Sequence, residues 1–231
     1  MSVFAIGDLH LSLSSDKSME VFRGWENYVE RIRENWEATV APEDTVVIAG
    51  DLSWGMSLEE SLRDFEFLNS LNGQKIILKG NHDYWWATAN KINSFFKEKG
   101  LSTLSLLHNN HYEIGGISIA GTRGWILEEN AVFTAEDKKI ALREEGRLRL
   151  SLESASKAGL EPVVFLHYPP IFKAGKAEGL IEIMKEFGVR RCFYGHIHSA
   201  SKSFASEGII DGIDYKLISS DYLKFKPYKV I

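Results

Sequence analysis

Short apolar runs that each end in a polar cluster recur along the chain. Ser2 to Ile6 ends at Gly7, Thr45 to Ala49 at Gly50, Lys75 to Leu78 at Lys79-Gly80, Val163 to Leu166 at His167, and Cys192 to Tyr194 at Gly195. Such β-branched or aromatic runs predict strands buried on both faces. Between them the apolar spacing changes to that of amphipathic helices. Met19 to Ala38 carries Val21, Phe22, Trp25, Tyr28, Val29, Ile32 and Trp36, and Leu58 to Leu71 repeats the pattern with Leu62, Phe65 and Leu68. A third helix is expected from Glu136 to about Ala158, opened by a capping box of Thr134 and Asp137, and a fourth from Lys176 to Phe187, stopped by Gly188. This alternation defines an α/β domain. His111 to Ala120, broken at Gly115-Gly116, reads as a β-hairpin, and Ser201 to Ser206 with Tyr215 to Ser219 reads as another around Gly208 and Gly212. More than one sheet is therefore expected.

Composition narrows the class. With 231 residues, 44% of them hydrophobic and 26% charged, the chain can bury one sizeable core, and no repeat or Pro/Gly/Ser-rich linker divides it, so residues 1–231 are expected to form a single domain. The formal charge of −5 argues against a protein that blankets a nucleic-acid backbone with Lys and Arg. Cys192 is the single cysteine, which excludes an internal disulfide, and its neighbours Phe193 and Tyr194 suggest a buried packing thiol. Val3 to Ile6 meets Asp8 too soon to be a signal peptide or a membrane span, which makes the cytoplasm the expected location.

The polar clusters carry the chemistry. In extended chain residues two apart share a side, so Asp8 and His10 can reach one metal together. Asp51, in Gly50-Asp51-Leu52, has two carboxylate oxygens and can bridge two cations; capping a helix near Ser57 is the bland alternative. In Lys79-Gly80-Asn81-His82-Asp83, Asn81 offers a neutral oxygen ligand, His82 can exchange a proton near neutral pH, and Asp83 can orient the His82 imidazole. His167, and the pair His196 and His198 after Gly195, complete the set; a lone His167 would more often be a core histidine. His108 and His111, beside Asn109 and Asn110, read as solvent-facing. Each cluster lies at the carboxyl end of an expected strand, where an open α/β sheet gathers its ligands.

The ordered set Asp8-x-His10, Gly50-Asp51, Gly80-Asn81-His82-Asp83, His167 and Gly195-His196-x-His198 resembles the calcineurin-like metallophosphoesterase superfamily, in particular its compact prokaryotic phosphohydrolases. The resemblance spans residues 7 to 198. It implies a four-layer α-β-β-α sandwich with two mixed β-sheets flanked by helices. It also implies one metal held by Asp8, His10, Asp51 and His198, a second held by Asp51, Asn81, His167 and His196, and attack on a phosphate ester by a hydroxide held between them, with His82 serving the leaving oxygen. Ser/Thr protein phosphatases of the superfamily carry Asp-Arg-Gly after the second Gly-Asp, whereas Leu52-Ser53-Trp54-Gly55 follows here, which argues against that activity.

Imidazole, carboxylate and amide ligands without thiolate suit Mn²⁺, Fe²⁺ or Zn²⁺. Arg123, after an apolar run, can fork onto a phosphate or pair with Glu144 or Glu145. Tyr84, Trp85, Trp86 and Tyr168 follow the ligand-type residues and can wall a flat substrate group, Trp85 and Trp86 being alternatively core residues that open a helix. The expected partner is a small phosphate ester, with no membrane and no strong signal for nucleic acid. The alternatives are a nuclease of the superfamily, which would want a basic groove or an added domain that neither the acidic balance nor the length supplies, and, further off, a silent binding scaffold, which would lack a ligand where this set lacks none.

Overall fold

The computed structural model describes residues 1–127, 132–173 and 175–231. In chain order its strands are β1 (Val3–Ile6), β2 (Thr45–Ile48), β3 (Gln74–Ile77), β4 (Leu104–Leu106), β5 (Tyr112–Ile114), β6 (Ile117–Thr122), β7 (Glu161–Leu166), β8 (Ile171–Phe172), β9 (Gly175–Lys176), β10 (Arg191–Tyr194), β11 (Gly208–Ile210), β12 (Ile213–Leu217) and β13 (Tyr228–Lys229). The helices are α1 (Tyr28–Glu37), α2 (Leu62–Ser70), α3 (Ala89–Glu98), α4 (Ala135–Ser156) and α5 (Glu178–Glu186). One sheet has the order β13-β1-β2-β3-β4 and the other β11-β12-β10-β7-β6-β5, with β8 and β9 forming a small separate pair. Within the first sheet β1 to β4 run parallel and β13 antiparallel; within the second β12, β10, β7 and β6 run parallel and the edge strands β11 and β5 antiparallel.

Strand periodicity sorts the apolar residues of the central strands into layers. Val3, Ala5, Val47 and Ala49 face the other sheet and meet Ile119, Val163, Phe165 and Phe193. Their alternates Phe4, Ile6, Val46 and Ile48 face outward, beneath Ile32, Trp36, Phe65 and Ile92 of α1 to α3. On the far side Val164, Leu166, Cys192 and Tyr194 pack under Leu148, Leu152, Ile181 and Met184 of α4 and α5. Three apolar layers between four structural ones give the α-β-β-α sandwich that the resemblance implied. Cys192 is fully buried, and burial pushes its thiol pKa up, as befits a packing residue. No helix among the described residues is long and apolar enough to cross a membrane.

The expected helix from Met19 splits. Gly24 (φ 93°) and Asn27 (φ 51°) take left-handed conformations that a helix interior does not allow, so a short 3₁₀ turn at Met19–Val21 gives way to α1 only at Tyr28. Val21 and Phe22, counted in the apolar face, are 81% and 50% exposed. The second expected hairpin is shifted. Residues Ser201 to Phe204 belong to a 3₁₀ segment that continues from His198, and β12 pairs instead with β11 across Asp211-Gly212, both at positive φ as a two-residue hairpin turn requires. Trp85 and Trp86 lie in a turn, and α3 begins later behind the Thr88 cap. The Thr134–Asp137 capping box is formed in both directions.

Candidate metal centre

All five polar clusters emerge at one end of the sandwich. Asp8 and His10 follow β1, Asp51 follows β2, Asn81 to Asp83 follow β3, His167 follows β7 directly, and His196 and His198 follow β10. Gly7 bonds to Ile218 across the two sheets at this end (N to O, 2.7 Å). Asp8, His10, Asp51 and His196 hold positive φ (55°, 46°, 51° and 70°), a conformation that costs roughly 1–2 kcal/mol for a residue with a Cβ. Lateral bonds offset that strain: the N–H groups of Asp8 and His10 donate to the carbonyls of Gly50 and Asp51 at 3.0 and 2.9 Å, and the N–H of His196 donates to the Asp8 carboxylate at 2.9 Å. Gly80 leaves no room for a side chain, since a Cβ there would overlap the Asp51 carboxylate and backbone nitrogen.

Two side-chain groups meet on one carboxylate. Asp8, His10 and Asp51 form the first and Asp51, His167 and His196 the second, each with its ligand-type atoms within 4.8 Å of one another. Asp51 Oδ2 lies 3.7 Å from His10 Nε2 and 3.5 Å from His167 Nε2. Asn81 Oδ1 joins the second group, 2.6 Å from His167 Nε2 and 2.9 Å from His196 Nδ1. The His198 ring stands at the rim, 5.2 Å from that of His10.

These residues fit a divalent cation. Both ring nitrogens of His10 and Oδ2 of Asp51 are buried and without a hydrogen-bond partner, a costly arrangement unless something else satisfies them. Burial, with repulsion between neighbouring imidazoles, holds the pKa values of His10 and His196 well below the usual histidine range, and burial brings His167 down to about 3. The rings are thus neutral at pH 7, the form that binds metal. The carboxylates are strained the opposite way: burial and the Asp51 charge raise Asp8 well above its ordinary value, and burial pushes Asp51 up to about 6. His167 Nδ1 is fixed by the Ala49 carbonyl at 2.9 Å, which leaves Nε2 for the centre.

Asp83 does not orient His82. Its Oδ2 accepts N–H bonds from Asp51 (3.0 Å) and Gly80 (2.7 Å), and its Oδ1 accepts from Leu52 (2.9 Å), Ser53 (3.4 Å) and the Trp85 indole (2.9 Å). His82 Nδ1 is buried with no partner. The carboxylate's neighbours in space are backbone donors of the β2 and β3 loops, which adjacency in sequence does not reveal. The His82 ring packs instead on Trp54, 4.5 Å between centroids, and Trp54 also stacks on His10 at 5.0 Å. Trp54 went unrecognised as a site residue because it carries no ligand atom.

The expected substrate contacts divide. Tyr168 lies with its ring 4.3 Å from that of His196, whereas Tyr84 is 53% exposed at the rim, 6.1 Å from His82. Arg123 takes the second of its two expected roles, 3.4 Å from Glu144, and stacks on Trp125. Trp85 is core. His108 and His111 are half-buried rather than solvent-facing, His111 lying between Ser154 and Glu113. Two further residues join from beyond β12: Ser220 Oγ donates to the Asp8 carbonyl at 2.6 Å, and Asp221 accepts the Ser199 N–H at 2.8 Å, holding the chain that leaves His198.

The charge arrangement sets a pH dependence for the metal-stripped protein. A carboxylate whose folded pKa is raised contributes stability below its unfolded value that is lost as pH climbs through the folded value. A histidine whose folded pKa is lowered contributes stability above about 6.5 that is lost as pH falls. The two oppose each other below pH 6.5. Above it Asp83 still titrates, pushed up to about 7 by burial and by Asp51. The stripped protein should therefore melt at a lower temperature at about pH 8 than at about pH 6.5, and added divalent cation should flatten that slope. A melting temperature that rises over this interval would contradict the electrostatics described.

A family model for the calcineurin-like phosphoesterases matches residues 1–200, and the chain belongs to that family. Among solved structures, a phosphopantetheinyl hydrolase from Mycobacterium tuberculosis is similar over 100% of this chain and 95% of its own, with a TM-score of 0.61 and 14% identity. A protein of unknown function from Aquifex aeolicus is similar over 99% and 95% of the two chains, with a TM-score of 0.52 and 17% identity. At these identities the likeness is one of fold. No curated protein matches the chain.

Proposed function

We propose that the protein is a phosphoesterase that acts on a small phosphate ester with two divalent cations, Mn²⁺, Fe²⁺ or Zn²⁺. Asp8, His10, Asp51 and His198 would hold one and Asp51, Asn81, His167 and His196 the other. The observation that carries this reading is the Asp51 carboxylate, buried, unpartnered at Oδ2 and shared by the two ligand-type groups. Two such ions supply Lewis acidity and make water nucleophilic near neutral pH. The chain's own contribution is to fix the donors by lateral backbone bonds and to exclude bulk water with Trp25, Trp54 and Tyr168 around the ligand rings. His82 faces the same centre and gives a proton to the departing oxygen. Burial lowers its pKa, which makes its imidazolium a stronger acid though a less populated one. Tyr84 and Tyr168 form walls for the ester's organic group, and Arg123 contributes positive field that Asp51 and His167 both feel.

The test is hydrolysis of p-nitrophenyl phosphate and bis-p-nitrophenyl phosphate by stripped protein refilled with Mn²⁺, Zn²⁺, Fe²⁺ or Mg²⁺ in turn. Turnover restored by at least one ion is expected, and none with any ion would sink the proposal. In the active form, His82→Ala should keep its metal content, measured by elemental analysis, while kcat falls about 10²- to 10⁴-fold. Full activity in that variant would remove the proton-donor role.

A further inference from the structure

A working imidazole is usually oriented by a hydrogen bond to its second ring nitrogen. His82 has no such bond. Its Nδ1 is buried without a partner, and both oxygens of Asp83 are taken by backbone and indole donors. The main chain of His82 is fixed, its N–H donating to Asp51 Oδ1 at 2.8 Å, but its side-chain torsions are left to packing. Three rings pack on it. Trp54 stands at 4.5 Å between centroids and 49° between planes, His10 at 5.7 Å and 59°, and Tyr84 at 6.1 Å and 78°. Tyr84 is itself 53% exposed, so Trp54 is both the nearest of the three and the better anchored of the two that are not ligand-type.

The loop after β2 holds Trp54 from several sides. Its own N–H donates to the Leu11 carbonyl at 2.9 Å. The preceding Ser53 gives its Oγ hydrogen to Asp64 Oδ2 of α2 at 2.5 Å, while Asp64 Oδ1 accepts the Leu13 N–H at 2.8 Å. The loops after β1 and β2 are thereby tied to one buried carboxylate. On the other side the half-buried indole lies nearly parallel to the His10 ring, 5.0 Å away at 22°. Its Nε1 has no partner, so the ring acts here through its faces and edges. We propose that Trp54 is a positioning residue, its indole holding the His82 ring at the angle from which it meets the leaving oxygen. Packing then does what a hydrogen-bonded carboxylate would otherwise do. In that step the proton passes from His82 to the ester oxygen as the P–O bond breaks, and a proton from the attacking water reloads the ring. The leaving-oxygen step rests on the phosphoesterase reading; the hold on the ring needs neither metal nor ester.

The experiment has two arms, run on wild type, Trp54→Phe and Trp54→Leu, with thermal melting to establish that each variant folds. Trp54→Met replaces Trp54→Leu if the latter does not fold. In the first arm, stripped protein carries histidine labelled with ¹³C at Cε1, and the His82 signal is the one missing from His82→Ala. Its relaxation order parameter should be that of a fixed ring in wild type, fall in Trp54→Leu and recover in Trp54→Phe. An order parameter unchanged in Trp54→Leu overturns the hold. In the second arm, metal-loaded protein is given p-nitrophenyl phosphate and benzyl phosphate, whose leaving alkoxide depends far more on a proton. For Trp54→Leu, kcat on benzyl phosphate should fall about ten-fold further than on p-nitrophenyl phosphate, with KM and metal content held, and Trp54→Phe should restore most of it. Combined with His82→Ala, Trp54→Leu should be strongly non-additive on benzyl phosphate. Equal losses on both esters, additive losses, or a fall in metal content would show that Trp54 acts through His10 or the fold, and would overturn the assignment. Absence of turnover by wild type on every ester overturns the phosphoesterase reading instead, while the relaxation measurement still decides whether Trp54 fixes the ring.

Discussion

An Asp51→Asn protein should keep its fold, lose metal-induced stabilisation and turn over phosphate esters at least about 10³-fold more slowly, the scale expected when the main electrostatic element of a site is removed. Asp51 is the one residue common to both ligand-type groups, so the substitution weakens both at once. Asparagine preserves the shape and can still accept the His82 N–H that Asp51 Oδ1 takes at 2.8 Å. What it removes is charge. In the absence of metal that charge is a burden, since it raises Asp8 and Asp83 and is itself held protonated up to about pH 6. The stripped variant should therefore melt at the same temperature as stripped wild type or slightly above it.

Metal separates the two proteins. For wild type, an ion at 100 times its Kd adds about 2.7 kcal/mol per site. For a chain of 231 residues that is roughly 5–10 °C in Tm. Asp51→Asn should show little of this shift in the same titration. A variant that gained the full shift would show that Asp51 is not the shared ligand, and one that unfolded without metal would show that the carboxylate is structural.

The site was legible in the sequence because each donor sits one to four residues past a short apolar run, and parallel strands carry such ends to one edge. Asp8, His10, Asp51, Asn81, His167 and His196 converge as their placement implied. Roles that depend on what lies across the edge were not legible. Asp83 follows His82 in sequence, yet its oxygens face the loop after β2, and nothing in Asn-His-Asp distinguishes a carboxylate serving an imidazole from one gathering amide hydrogens. Ser220 and Asp221 belong to no recognisable motif because they act through one backbone carbonyl and one backbone N–H. The broken first helix has a similar origin. Apolar periodicity ran through Gly24 and Asn27 without registering that both adopt positive φ, and Trp25 is buried from a loop rather than from a helix face. Edge strands as short as β13 carry too few residues to show alternation.

Asp83→Ala should be the most destabilising single change in the centre, lowering unfolding free energy by about 3–5 kcal/mol, because removing one partner of a buried charged network strands the others. Four backbone N–H groups and one indole lose their acceptor together, and they belong to residues Gly80, Asp51, Leu52, Ser53 and Trp85 that position the metal-facing side chains. Asp83→Asn should be intermediate, since an amide offers one oxygen and turns an N–H₂ toward donors. In stripped protein near pH 8 the deficit should shrink, because the same carboxylate there repels Asp51; with metal bound, Asp51 is compensated and the full deficit should appear. Urea midpoints at about pH 6.5 and about pH 8, with and without Mn²⁺, measure this directly. Metal affinity should fall along with stability in both variants. If instead Asp83→Asn kept the wild-type midpoint and metal affinity while shifting only the pH profile of kcat, the carboxylate would be acting on the His82 proton and not as a clamp on the backbone N–H groups.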